Sequence, residues 1–296
     1  MPKIALLFPG QGSQSVGMGA YHFNSDERFK KQVAQADEIL GYSLSEIMFE
    51  GPAETLQQTE HTQPAIFLHS VALFTILDIK PDMVAGHSLG EFSALTASGA
   101  LAFEDALKLV RKRGQLMQQA GKDNSGTMAA VIGMDDDAVT DICTRASEGE
   151  SSVVVPANFN CPGQLVISGH ESAVERAMAM LKESGCRLTK KLPVSGAFHS
   201  PLMQPAYDGL EAEVRQINIQ TPDCPVYSNY SAAPTQNPEE IRSNILNQLL
   251  NPVRWTQTLL NMKQDGAEDF VEIGPGKVLQ GLVKRTHKGV SVSGHQ

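Results

Sequence analysis

The sequence is short of cysteine, of aromatic side chains, of positive charge and of long apolar runs, and these shortages exclude several classes of protein. Its four cysteines, Cys143, Cys161, Cys186 and Cys224, include no CxxC pair. A disulfide framework or a thiolate zinc site would need close pairs, so free, reduced thiols are expected. The 8 histidines supply no close ligand pair either, and no metal is expected. The apolar stretch "PAIFLHSVALFTIL" is interrupted by His69 and Ser70. It falls short of the roughly 20 residues a bilayer-crossing helix needs, so no membrane partner is expected. The opening "MPKIALLFPGQG" lacks the h-region and cleavage site of a secretory signal, which makes the cytoplasm the expected location. Lys and Arg number 24 against 33 Asp and Glu, a formal net charge of −9. That balance argues against a nucleic-acid partner, because phosphate binding needs concentrated basic residues, and any anionic partner must use a local basic patch.

What is present is a foldable chain of 296 residues, 41% hydrophobic and 19% charged. The length suits one large domain with an insertion, or two domains. "KIALLF" reads as a buried strand entering a glycine-rich loop. In "ERFKKQVAQADEIL", Phe29, Val33, Ala36 and Leu40 fall on one helical face. "TQPAIFLHSVALFTIL" is apolar almost all round, as a helix buried within a domain would be, with Thr62 as its expected N-cap. "MVAG" reads as a strand, and "FEDALKLVRKRGQLMQQAG" as an amphipathic helix closing at Gly121. Alternating strands and helices argue for an α/β core with a parallel sheet. Between 125 and 195 the order becomes βαββαβ, that of a ferredoxin-like split unit. The expected architecture is a discontinuous large α/β domain, 1–124 and 196–296, interrupted by a ferredoxin-like subdomain at 125–195. Of the C-terminal "GVSVSGHQ" the pattern says nothing.

The segment "AGHSLGEFSA" sets Gly86-His87-Ser88-Leu89-Gly90 between the strand and a helix. In a G-x-S-x-G turn the flanking glycines allow a sharp reversal that lifts the serine hydroxyl clear of its backbone. The helix start adds unpaired N–H groups, of which that of Leu89 is placed to bind an oxyanion. A hydroxyl needs a base, usually histidine. His199, in "VSGAFHSPLM", follows a strand and precedes Ser200, an N-cap, and Pro201 at the first helical position, so it stands in a loop at a sheet's mouth. The alternative is a loop histidine packed on polar neighbours. His87 is too close in the chain to share the serine's direction, and His287 lies in a basic tail.

Arg113 falls on the apolar stripe of its helix, between Val110 and Met117. A guanidinium there calls for an anion to offset desolvation. Two readings stay open: a structural carboxylate or snorkelling at the stripe's edge, or a clamp on a substrate carboxylate. "FPGQGSQSVGMG" fails the dinucleotide-loop register, since Ser15 stands where the third glycine belongs, so no cofactor is expected. That loop is placed to present Gln11 to a site at the sheet's carboxyl end. "GPGK" lacks the full P-loop pattern and reads as a tight turn opening the last helix.

Taken in order, "LFPGQGSQ", "HTQPAIF", "AGHSLGEFSAL", "RGQLMQ", "NFNCPGQLVISG", "LPVSGAFHSPLM", "NQLLNPVRW" and "VEIGPGKVLQGLVKR" resemble the malonyl-CoA:acyl carrier protein transacylases of bacterial type II fatty acid synthesis and the related acyltransferase domains of polyketide synthases. The resemblance covers nearly the whole chain and implies an α/β-hydrolase-like large domain. It implies a malonyl ester on Ser88, His199 as general base in a Ser/His dyad, and backbone N–H groups of Gln11 and Leu89 as the oxyanion hole. It further implies that Arg113 binds the malonyl carboxylate, and that Gln248 orients the histidine through its main chain. Met117, Asn158 and Asn160 are expected at the substrate cleft. "GAFH" resembles the version associated with malonyl selection, Phe198 leaving little room for an α-methyl branch. The implied partners are malonyl-CoA and acyl carrier protein. Because such carriers are acidic, docking is expected at Arg187, Lys190 and Lys191, or at Lys284, Arg285 and Lys288, unless these are plain solvated faces. A polyketide acyltransferase acting in trans is the nearest alternative reading. A serine esterase or thioesterase is a more distant one, having no use for Arg113.

Overall fold

The computed structural model describes residues 2–296. Its strands are β1 (Lys3–Phe8), β2 (Met83–Gly86), β3 (Gly126–Ile132), β4 (Val154–Cys161), β5 (Gln164–His170), β6 (Leu188–Lys191), β7 (Val226–Tyr227), β8 (Pro234–Thr235), β9 (Ala267–Ile273) and β10 (Ser291–His295). Six of them form one sheet in the order β10-β9-β1-β2-β7-β8. All of its pairings are parallel except β7 with β8. The other four form a separate antiparallel sheet in the order β4-β5-β3-β6.

The two-residue period of a strand explains how β1 serves two cores at once. Leu6 and Phe8 pack into the larger cluster on one face, while Ala5 and Leu7 join Trp255 and Phe270 on the other. A parallel sheet covered on both faces must read as a continuous apolar run, as "KIALLF" does. The antiparallel sheet has its own core, in which Ala129, Val131, Leu165 and Ile167 meet Val139, Ile142, Val174 and Leu181 of the helices Asp136–Ala146 and Glu171–Glu183.

The helix Glu27–Leu40 buries the face expected of it, Phe29, Val33, Ala36 and Leu40. The next long helix, Thr59–Ile76, starts earlier than expected, with Gln58 at its N-cap. Thr62 lies inside it, its hydroxyl donating to the Leu56 carbonyl (2.5 Å). The helix Phe103–Asp123 runs through Gly121 rather than stopping there. A Cβ at Gly121 would lie 2.1 Å from the Ser195 carbonyl oxygen, so this glycine lets the helix approach the loop that leads to His199. β6 is shorter than "RLTKKLPVS" suggests, since Pro193 has no N–H with which to continue a ladder. The C-terminal segment forms β10 beside β9. All four cysteines are free. Among the described residues no helix is long and apolar enough to cross a membrane.

Candidate active site

β2 ends at Gly86 and the helix Gly90–Ala97 begins just beyond, which leaves three residues to turn the chain. Ser88 sits at the apex with φ +51, a left-handed conformation that disfavours a side-chain-bearing residue. The glycines on either side have no alternative. A Cβ on Gly86 would lie 1.8 Å from the Gly90 carbonyl carbon, and one on Gly90 would lie 2.0 Å from the Phe8 carbonyl oxygen. Asn229, in the loop after β7, pins the turn. Its Oδ1 accepts from the Ser88 N–H (2.6 Å) and its Nδ2 donates to the Gly86 carbonyl (2.6 Å).

His199 faces the serine from the far side of the cleft, also with positive φ (+56). Its Nε2 lies 2.8 Å from Ser88 Oγ, and its Nδ1 lies 2.8 Å from the Gln248 carbonyl. A carbonyl oxygen only accepts, so Nδ1 carries the hydrogen and the Nε2 lone pair is left for the serine proton. Burial, aided by the charge of Arg113, pushes the imidazole down to about 3, which keeps it neutral, with its Nε2 lone pair free, at physiological pH. The loop is held behind it. Ser200 Oγ donates to the Ala197 carbonyl (2.6 Å) and accepts from the Leu202 N–H (3.3 Å), with Pro201 opening the short turn Pro201–Met203. His87 turns away, its Nε2 2.9 Å from Asn160 Oδ1 and its ring edge-on to Trp255. His287 lies elsewhere, bonded to the Leu259 carbonyl and stacked on Phe270.

Arg113 points inward and is 1% exposed. Its Nη1 donates to Gln63 Oε1 (2.7 Å), and its Nη2 donates to Gln248 Oε1 (2.8 Å) and Ser88 Oγ (3.2 Å). The guanidinium lies over the Phe92 ring, 5.5 Å from the centroid. Among the described residues no carboxylate reaches it as an ion pair, so its partners are neutral oxygens. Its burial removes the snorkelling reading, and the carboxylate that acts on it, Glu91, does so through its field and not by a direct bond. Burial lowers its pKa to about 10 against the restoring pull of Glu91, and it stays charged. Glu91 is itself buried and pushed up to about 7.

A cleft of about 290 Å³ joins these groups. Ser88, His199, Arg113, Gln11 and Leu89 all open on it. Met117 and Phe198 form part of its wall, and Asn158 and Asn160 line the side contributed by β4. The backbone N–H groups of Gln11 and Leu89 have no acceptor among the described residues. Gln248, 1% exposed, stands behind the cleft. The basic residues are less uniform. Arg187, Lys190 and Lys191 are exposed at or before β6, but Lys191 is tied to Glu171 (2.9 Å) and Glu175 (2.7 Å). Lys284, Arg285 and Lys288 are exposed near the C-terminus, with Arg285 reaching Gln164 Oε1.

Three side chains of this network were not singled out by sequence: Gln63, Glu91 and Asn229. Glu91 did leave a trace, as the charged residue of the helix Gly90–Ala97, and Gln63 stands at the edge of the apolar run "PAIFL". Asn229 left none, because its importance depends on a turn 141 residues away.

Comparison with known proteins gives a consistent result. A family model described as "Acyl transferase domain" matches residues 5–294. A malonyl CoA-acyl carrier protein transacylase of Haemophilus influenzae is 46% identical over 290 residues, spanning 96% of this chain and 92% of the relative. The crystal structure of an acyl carrier protein S-malonyltransferase from Vibrio cholerae superposes with a TM-score of 0.96 at 43% identity, covering 99% of this chain and 97% of that one. A malonyl-transacylase in complex with a type II PKS acyl-carrier protein is similar with a TM-score of 0.94 at 40% identity, covering 99% and 94%.

Proposed function

This chain belongs to the acyl transferase family, and on that premise we propose that it carries the malonyl group of malonyl-CoA to the phosphopantetheine thiol of acyl carrier protein for fatty acid biosynthesis. The observation that carries this reading is Arg113, a buried guanidinium with only neutral acceptors beside Ser88 Oγ. An esterase needs no such charge. A substrate carboxylate supplies the directly bonded anion that the protein does not, and pairing it there directs the thioester toward the serine.

His199 Nε2 takes the Ser88 proton as Oγ attacks the thioester carbonyl. The resulting oxyanion is received by the Gln11 and Leu89 N–H groups. Collapse expels the CoA thiolate, which takes from His199 the proton that Ser88 gave up, and leaves a malonyl ester on Ser88. In the second half His199 takes the pantetheine thiol proton, sulfur attacks the ester, and the serine leaves with that proton. Met117 and Phe198 shape the acyl site, Phe198 against an α-methyl branch, while Asn160 holds His87. No cofactor is required by these steps. The cleft volume lies near the lower end of the ~300–1,000 Å³ typical of ligand sites, which suits an acyl group and the tip of a pantetheine arm.

The serine turn at the end of a parallel strand supports an α/β-hydrolase-like domain at 1–124 and 196–296. The strand order β4-β5-β3-β6 supports a ferredoxin-like subdomain at 125–195. We place the reaction in the cytoplasm. Similarity to the polyketide complex favours one second reading, a discrete acyltransferase serving a polyketide carrier.

Incubation with malonyl-CoA should add one malonyl group to the intact protein, mapped by peptide mass to Ser88. An active preparation with unmodified Ser88 refutes the ester. For carrier docking, Arg187→Glu with Lys190→Glu should raise the KM for acyl carrier protein several-fold, more at low salt, and leave acylation by malonyl-CoA unchanged. Lys191 is omitted because Glu171 and Glu175 already neutralise it. Unchanged carrier kinetics eliminate this patch.

A further inference from the structure

The proposed cycle gives no task to Glu91, a carboxylate 2% exposed in the first turn of the helix that follows Ser88. Its Oε2 accepts from the Asn229 backbone N–H (3.0 Å) and from Gln248 Nε2 (2.7 Å). Gln248 Nε2 also donates to the Ser88 carbonyl (3.0 Å). Both amide hydrogens thus face acceptors, and Oε1 is left facing Arg113 Nη2. Flipping the amide would set its NH2 against the guanidinium and its oxygen against Glu91 and the Ser88 carbonyl. Each of those contacts opposes like partners in a buried site, which is costly. Glu91 therefore fixes the polarity of the Gln248 amide, and that amide helps to aim Arg113.

We propose that Glu91 is a positioning residue that acts through the Gln248 amide to set how firmly Arg113 holds the carboxylate of the bound acyl group. This rests on the reading of Arg113 as that carboxylate's partner.

The electrostatics give the role a sign. Ionised Glu91 competes with the acyl carboxylate for the field of Arg113, and protonated Glu91 does not. The groups facing it are Arg113 from the helix Phe103–Asp123, Ser228 and Asn229 from the loop after β7, and Gln248 after the helix Pro238–Asn247. Gln248 in turn holds the neutral His199, and the helix Thr59–Ile76 contributes the uncharged Gln63. Burial pushes the Glu91 carboxyl up to about 7, so it loses its proton as pH rises through that region. Affinity for a carboxylated acyl group should then fall, while an acetyl group should be unaffected.

The test is acylation of Ser88 by malonyl-CoA and acetyl-CoA from pH 6 to 8.5. The two donors share the same nucleotide phosphates, so the ratio of their KM values isolates the acyl carboxylate. In the native protein the malonyl-to-acetyl KM ratio should rise several-fold across this range. Glu91→Gln keeps an oxygen for both donors but cannot ionise, so its ratio should stay flat at the low-pH value. Glu91→Met removes the acceptor and should lower malonyl preference in kcat/KM by about 10- to 100-fold, as expected when a positioning group shifts by roughly 1 Å. A Glu91→Gln ratio that climbs as in the native protein overturns the proposal, as do equal losses for both donors in Glu91→Met. If Glu91→Met does not fold, the Glu91→Gln profile decides alone. Failure of the underlying reading has a different signature: no malonyl ester on native Ser88, or no malonyl preference to perturb.

Discussion

His199→Ala should slow acylation of Ser88 by about 10²- to 10⁴-fold while leaving the cleft and the unpaired Gln11 and Leu89 N–H groups in place. The loss follows from the 2.8 Å approach of Nε2 to Ser88 Oγ and from the Gln248 carbonyl, which forces the proton onto Nδ1. Rapid-quench measurement of the acyl-enzyme, alongside circular dichroism to verify folding, separates this from unfolding. A loss under threefold would mean that another group takes the proton.

The same histidine gives the pH profile a definite sign. Its pKa is lowered to about 3, first by burial and next by the charge of Arg113. The base form is thus already complete well below pH 6.5, and kcat/KM with acetyl-CoA should show no acid limb near 6.5. When a malonyl carboxylate pairs with Arg113, it cancels part of the charge that opposes protonation. The acid limb of kcat should therefore lie at higher pH with malonyl-CoA than with acetyl-CoA. An acid limb near 6.5 for both donors would show that the imidazole is solvated.

Legibility in the sequence followed the range of the interactions. The face Phe29, Val33, Ala36 and Leu40 is set by spacing within one helix, and it is buried as spacing demands. The glycines around Ser88 are legible because the turn they permit is local. Arg113 was legible as inward-facing from its own helix, whereas its neutral partners come from three other segments. Thr62 was misread because a threonine before an apolar run has the chemistry of an N-cap whether or not the helix starts there. Gly121 was misread for a similar reason. A glycine near a helix end suggests a cap, but this one accommodates the Ser195 carbonyl, a contact from a distant loop. β10 gave no signal because an edge strand with little burial needs no apolar pattern.

Arg113→Ala should reduce malonyl transfer on the order of 10³-fold, because leaving one member of a buried, hydrogen-bonded charge pair without its partner costs about 3–5 kcal/mol. Here the unpaired member is the incoming malonyl carboxylate, confined to a cleft where water cannot fully solvate it. Acetyl transfer should change by less than about tenfold, since an acetyl group has no charge to lose and the Ser88–His199 contact does not pass through the guanidinium. Folding should survive. The acceptors released are amide and hydroxyl oxygens beside a cleft that admits water, and Glu91, already raised to about 7, can take a proton when its countercharge is gone. Arg113→Lys should restore only part of the malonyl rate. A single ammonium cannot hold Gln63, Gln248 and a carboxylate at the angles a planar guanidinium provides. Equal losses for malonyl and acetyl would make Arg113 a structural support of the serine turn. A selective loss makes it the group by which the protein distinguishes a carboxylated acyl chain from a neutral one, since the serine, histidine and oxyanion donors act on the thioester alone.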